Sequence, residues 1–237
     1  MVEIFNSLGQ PVGPPVEDWT ARPRPSAAPM FGRTCRLERL DPDRHTVELH
    51  AAHRTARDDS NWTYLMVGPF KTLAAYETFL RDEAAKTDPF HHVVVDAVSG
   101  KAVGMANFMR IDPANGVIEI GHVCYSPLLQ KTVAGTEAIY LLLRRAFDEL
   151  GYRRVEWKCD SLNSLSRRAA ERYGFHHEGV FRQATVYKGR SRDTAWFSLI
   201  DRDWPAARSA FERWLSPDNF DAAGLQRRTL RDLRAHP

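Results

Sequence analysis

From Trp157 to Phe197 the chain reads as a strand ending in Trp157-Lys-Cys-Asp160, a turn at Asn163, an arginine-rich helix over Ser164–Tyr173, and a glycine stop at Gly174. Two further strands, Val180–Tyr187 and Asp193–Ile200, then meet through Lys188-Gly189-Arg190 as a hairpin. Upstream lie three apolar runs, His92–Val98, Ala102–Ile111 and Gly116–Val123. Turn residues at Ser99-Gly100 and Pro113–Gly116 divide them, which predicts three antiparallel strands. Between the two groups, a helix over Val133–Leu150 leads through Gly151-Tyr152 into the strand Arg154–Cys159. Neither an all-helical nor an all-strand fold accommodates that order.

The first third is less regular. Six prolines fall between Pro11 and Pro29, together with Gly9 and Gly13, so residues 1–31 read as an extended arm with Val12, Val16, Trp19 and Phe31 as apolar anchors. A strand over Arg33–Leu37 and a helix over Pro42–Arg57, started by Asp41-Pro42, come next; a second helix covers Thr72–Lys86. The segment Asp58–Phe70 between these helices is rich in aromatics but has no period. Loops of that kind shape substrate pockets, so Asn61, Trp62 and Tyr64 are candidate substrate contacts. After Trp204-Pro205 a helix to Leu215 is expected, then a basic tail prone to fraying. The division is an arm over 1–31, a main domain over 32–205, and a helix with basic tail over 206–237.

A chain of 237 residues with 43% hydrophobic content can bury a core without metals or disulfides. Its net charge of +3 is too small to argue for nucleic acid as a partner. Cys35, Cys124 and Cys159 show neither disulfide pairing nor metal-ligand spacing, and read as reduced thiols. The pairs His91-His92 and His176-His177 point opposite ways along a strand, so no metal is implied. No apolar run is long enough for a membrane span and no signal-peptide pattern opens the chain, so a cytoplasmic protein is expected. Trp196, Trp204 and Trp214 fit either a core or the seam of a homodimer.

The motifs in this order, Trp-Lys-Cys-Asp, Asn163-x-x-Ser166, Gly174-Phe175 and Glu178-Gly-Val-Phe-Arg182, resemble the GCN5-related N-acetyltransferase superfamily. Within it they are most similar to the branch containing ribosomal-protein-alanine acetyltransferases. The resemblance covers about Gly32–Pro205. It implies a mixed α/β fold: a twisted, mainly antiparallel sheet of six or seven strands with helices on both faces, splayed at a central cofactor cleft. It also implies acetyl-CoA as donor and an amine as acceptor, either a small molecule or a protein amino terminus. The rival is a non-catalytic acyl-CoA sensor or scaffold with the same fold.

On that resemblance the pyrophosphate rests on Gln130-Lys131-Thr132-Val133-Ala134-Gly135-Thr136, where a helix N-terminus offers free N–H groups and a positive dipole end. Val133 stands where the family carries its first glycine, which makes the tight loop harder to form. Cys124, Tyr125 and Ser126 are expected along the acetyl and pantetheine portion, with a strand bulge over Val123–Ser126 freeing an N–H for the thioester carbonyl. Asn163 matches the residue that contacts pantetheine, or it caps the helix. Ser166 matches the acid that protonates the leaving thiolate; Ala170 occupies the position where many members carry a tyrosine. Glu119, in Glu119-Ile-Gly121, matches the base. His122 is a rival that strand alternation places on the opposite face. Arg182, Arg190 and Arg192 are candidate acceptor contacts near the final hairpin, through the planar donor fork of arginine. An acyl-enzyme at Cys124 is disfavoured because no partner histidine is legible.

Overall fold

The computed structural model describes residues 3–235. Its main sheet has eight strands: β3 (Met30–Phe31), β4 (Cys35–Arg39), β5 (His92–Asp96), β6 (Ala102–Asp112), β7 (Val117–Tyr125), β8 (Arg154–Asp160), β9 (His176–Tyr187) and β10 (Arg190–Ile200). The spatial order is β3-β4-β5-β6-β7-β8-β10-β9. Seven of these strands were expected; the eighth is the two-residue β3, which pairs Met30 with Leu37. A separate two-stranded ribbon, β1 (Ile4–Phe5) with β2 (Pro11–Val12), forms within the arm despite its prolines.

All neighbouring pairs are antiparallel except β7 with β8. That parallel pairing runs through Val117↔Arg154, Ile118↔Val155 and Glu119↔Glu156 and stops there. Beyond Glu119 the two strands diverge, and the gap between them opens the cleft.

Helices cover both faces. On one, α3 (Val133–Arg144), α4 (Ser164–Tyr173), α5 (Trp204–Leu215) and α6 (Leu230–Ala235) bury a core that includes Ile118, Ile139, Val155, Phe197 and Phe211. On the other, α1 (Pro42–Arg54) and α2 (Leu73–Ala84) close over Leu49, Tyr76, Leu80, Val93 and Met105. Helix boundaries follow local chemistry. Asp41 and Thr72 accept backbone N–H groups at the starts of α1 and α2, and Gly174, in the left-handed region at φ 102°, ends α4.

Two expectations about the ends change. In the arm, only Trp19 of the four named anchors packs closely: its indole donates to the Ala114 carbonyl at 2.8 Å and covers Gly116, whereas Val12, Val16 and Phe31 are exposed. The basic tail is docked, because Leu230 and Leu233 are buried and Arg234 donates to the carbonyls of Glu171 and Arg172 at the end of α4. Trp204 and Trp214 belong to the core.

Candidate active site

The cleft has a volume of about 1330 Å³ and runs from the start of α3, past the start of α4, to the divergence of β7 and β8. At its cofactor-loop end, Lys131 takes a left-handed φ of 60° and Thr132 caps α3 by accepting the Gly135 N–H at 3.0 Å. Val133 therefore begins the helix in ordinary geometry, and the unusual backbone falls on Lys131. Gly135 is required by crowding, since a Cβ there would lie 2.7 Å from the Leu129 carbonyl oxygen. The Tyr125 hydroxyl donates to the Gly135 carbonyl at 2.9 Å and holds the loop on the strand.

Of the cofactor candidates, Cys124, Tyr125, Gln130, Lys131, Thr132, Val133, Gly135, Thr136, Asn163 and Ser166 all line the cleft. Ser126 and Ala134 do not: Ser126 is fully buried and its hydroxyl is spent on the Val103 carbonyl at 2.6 Å. Asn163 caps α4 by accepting the Ser166 N–H at 3.1 Å, which leaves its NH2 group and one oxygen lone pair for a ligand. Ser166 accepts the Trp157 indole N–H at 2.9 Å, which occupies a lone pair and leaves the hydroxyl proton for another partner.

The bulge lies earlier than expected. Asn107 pairs with Gly121 and Met105 with Cys124, so His122 and Val123 together oppose Ala106. His122 has φ 46°, and its carbonyl accepts the side-chain N–H of the wholly buried Asn107 at 2.9 Å. This insertion breaks strand alternation. His122 and Glu119 consequently both line the cleft, contrary to the opposite-face expectation.

Glu119 is 4% exposed at the last position of β7 that pairs with β8. One carboxylate oxygen lies 2.9 Å from Lys158 Nζ and 3.1 Å from Arg110 Nε. Lys158 also reaches Glu156 at 2.7 Å and sits 3.7 Å from the centre of the Trp196 ring. Burial pushes the Glu119 carboxyl above the ordinary range, and the two cations offset only part of that shift. Lys158, Arg110 and Trp196 are not legible as site residues in the sequence, because strand pairing brings Lys158 and Arg110 to Glu119 and Trp196 to Lys158.

On the acceptor side the candidates separate. Tyr64 lines the cleft and donates to the Leu162 carbonyl at 3.3 Å; Arg192 lines it too. Asn61 accepts from Gln130 at 2.9 Å and so ties its loop to the cofactor loop. Trp62 is buried in the core among His53, Phe70 and Tyr76 and, unlike its neighbours Asn61 and Tyr64, does not line the cleft. Arg182 and Arg190 are exposed outside the cleft lining, because the hairpin carries them past its mouth.

Two histidine arrangements were also missed. Cys124 Sγ lies 3.6 Å from His53 Nε2, but burial lowers His53 to about 4 and raises Cys124 to about 12, so the pair rests as neutral imidazole and thiol. Donor atoms of Glu83, His91 and His122 converge within 4.8 Å, and His91 bonds Glu83 at 2.7 Å. All three cysteines are free.

Residues 36–176 match the family model of the acetyltransferase (GNAT) domain. The chain belongs to that family. A crystal structure of a GCN5-related N-acetyltransferase from Brucella melitensis superposes with a TM-score of 0.91 at 47% identity, covering 93% of this chain and 100% of that one. A GNAT-family acetyltransferase structure from Chromobacterium violaceum superposes at 0.77 with 42% identity, covering 83% and 98% of the two chains. In sequence, the chain is 27% identical to "Putative ribosomal N-acetyltransferase YdaF" of Bacillus subtilis over 144 residues, 60% of this chain and 78% of that protein. Like its GNAT relatives, the protein is an N-acetyltransferase, and membership implies acetyl-CoA as donor and an amine as acceptor. Among the described residues no helix is long and apolar enough to cross a membrane.

Proposed function

We propose that the enzyme transfers acetyl from acetyl-CoA directly to a primary amine within a ternary complex, with Glu119 as base and Ser166 as acid. The observation that carries this reading is a buried carboxylate, raised above its ordinary pKa, at the point where β7 and β8 part. Pantetheine lies in that gap, and the start of α3 receives the pyrophosphate.

The amine nitrogen attacks the thioester carbonyl carbon; a C–N bond forms and the C–S bond breaks. The ammonium proton passes to Glu119, directly or through water, before or during attack. A backbone N–H freed at the His122–Val123 bulge stabilises the oxyanion. As the tetrahedral intermediate collapses, Ser166 gives its hydroxyl proton to the departing thiolate, and the second proton leaving the nitrogen returns to the Ser166 oxygen through water. Alignment of amine and thioester supplies much of the rate. Cys124 forms no acyl intermediate, since a buried neutral thiol is a poor nucleophile.

The acceptor end carries Arg110, Arg192, Trp196 and Tyr64, which suit an amine with a nearby anionic or aromatic group. The relative's name, a putative ribosomal N-acetyltransferase, makes ribosomal amines the first acceptors to test, alongside small amines. Free-thiol release from acetyl-CoA in the presence of pooled amines and amino-terminal peptides, followed by mass analysis of the acetylated product, tests the proposal. An N-acetylated product is expected; thiol release that never yields an N-acetylated amine would overturn it.

A further inference from the structure

Behind one wall of the cleft, side chains from three different elements converge. Glu83 stands in the last turn of α2, His91 immediately before β5, and His122 on the bulge of β7. One donor atom of each lies within 4.8 Å of the other two. Glu83 and His91 are buried, and of the three only His122 lines the cleft. We propose that Glu83, His91 and His122 bind a divalent transition-metal ion of the zinc class, which ties the end of α2 to the bulge. This site is independent of the roles given to Glu119 and Ser166.

The donor set selects the ion. Two imidazoles and one carboxylate suit zinc and its first-row neighbours, with a fourth position left for water, whereas magnesium and calcium take oxygen ligands. In a tetrahedral zinc site with bonds of about 2.0–2.1 Å, ligand atoms stand about 3.3 Å apart. Here Glu83 Oε2 and His91 Nε2 lie 2.7 Å apart, and the rings of His91 and His122 have centroids 6.1 Å apart. Shifts of about 1 Å bring all three ligand atoms to one ion.

The protein holds the backbone of this cluster but does not use up its donor atoms. Arg39 donates to the carbonyls of Ala84 and Lys86 at the end of α2, at 3.0 and 2.6 Å, and to the His91 carbonyl at 3.2 Å. Asn107, wholly buried, accepts the His92 N–H at 2.8 Å and donates to the His122 carbonyl at 2.9 Å, so one amide fixes both the neighbour of His91 and the bulge. His122 is kept at φ 46°, an uncommon conformation for a residue with a side chain. Lys86 engages Glu83 Oε1 at 2.5 Å and leaves Oε2 toward His91. His91 Nδ1 is buried without a hydrogen-bond partner, and among the described residues the His122 ring makes no hydrogen bond. Burial lowers both imidazoles from their ordinary range, which leaves them in the neutral form that metals bind. His92 differs: it packs against Phe90 and Phe108, so the adjacent histidines do part as strand alternation requires, and the ligands come from separate elements instead.

The test uses the untagged full chain after dialysis against a chelator. Zn2+ binding is measured by calorimetry, and Co2+ serves as a spectroscopic probe of the ligands. Wild type is compared with Glu83→Gln and with His122→Asn, which retains a residue tolerant of positive φ, after thermal melts confirm folding. Should Glu83→Gln fail to fold, His122→Asn, at a half-buried position, carries the comparison. Wild type is expected to take one Zn2+ per chain in the presence of excess Mg2+, to melt higher with Zn2+, and to give the visible absorption of four-coordinate Co2+. Each substitution should weaken Zn2+ binding by about a hundredfold or more, at least the loss that an outer-shell change causes, and remove the Co2+ band. Wild type that binds no Zn2+, or a folded variant that binds Zn2+ as tightly as wild type, overturns the assignment.

Discussion

Lys158 Nζ lies 2.9 Å from a Glu119 carboxylate oxygen, with both side chains almost wholly buried where the parallel pairing of β7 and β8 ends. The pair joins the two walls of the cleft, and its second partner, Arg110, is largely exposed. A carboxylate in this setting is both a structural tie and a proton acceptor, and the predictions below separate the two.

Because burial raises the Glu119 carboxyl, the acid limb of the pH–rate profile should fall above the ordinary glutamate value of about 4.3. The rate rises with pH as Glu119 ionises. Glu119→Gln should abolish that limb and lower turnover by about a hundredfold. A limb retained unchanged in Glu119→Gln would assign it to another group.

Lys158→Met leaves a buried carboxylate with one exposed partner. Removing one member of a buried pair costs about 3–5 kcal/mol. The folded-state pKa of Glu119 is already above its unfolded value, and the substitution raises it further. The stability this group contributes is present at low pH and lost as pH rises through the folded pKa. The deficit of Lys158→Met in urea unfolding should therefore widen as pH increases, and its acid limb should shift to higher pH.

Glu178 shows the opposite sign. Hydrogen bonds from Arg154 hold its carboxyl at about 2, with help from Ser198. Its contribution is present above the ordinary glutamate pKa and lost as pH falls toward about 2. Glu178→Gln should destabilise the protein at neutral pH, with a difference from wild type that fades on acidification.

Ser166→Ala removes the proposed acid but spares the helix cap, which uses the backbone N–H of that residue. Turnover should fall by about a hundredfold, and the buried Trp157 indole N–H, left without its acceptor, should lower stability by about 1–3 kcal/mol. Equal turnover would move the proton donation to water or to Tyr173, which also lines the cleft.

Trp62→Ala and Gly135→Ala distinguish packing from the site. Trp62 fills the core under α1 and α2, so its truncation should cost about 3–5 kcal/mol. Gly135→Ala forces a methyl against the Leu129 carbonyl and should cost about 1–3 kcal/mol, with weaker acetyl-CoA binding because the cofactor loop shifts.

Much of the fold is legible along the chain because its signals are local. Asp41-Pro42 starts α1, Gly174 stops α4, and Lys188-Gly189-Arg190 turns the hairpin. The site is only partly legible for the same reason. Glu119 and Ser166 stand in local motifs, whereas Lys158 reaches Glu119 across the pairing of β7 with β8, and Trp196 reaches Lys158 across the pairing of β8 with β10. The position of the bulge depends on Asn107, a polar residue inside an apolar run whose partners are the His122 carbonyl and the His92 N–H. Trp62 looked like a pocket residue because an aperiodic loop hides which of its aromatics turn inward. The tail looked loose because its charged residues mask the spacing of Leu230 and Leu233.

The most direct test of the central claim is acetyl-CoA-dependent acetylation of the identified amine by wild type and Glu119→Gln across the pH range in which the folded protein is stable. The account predicts a wild-type rate that rises with ionisation of a carboxyl raised above its ordinary range, and a Glu119→Gln rate that is low and independent of that ionisation. A Glu119→Gln enzyme that matches wild type in both rate and pH profile would contradict it.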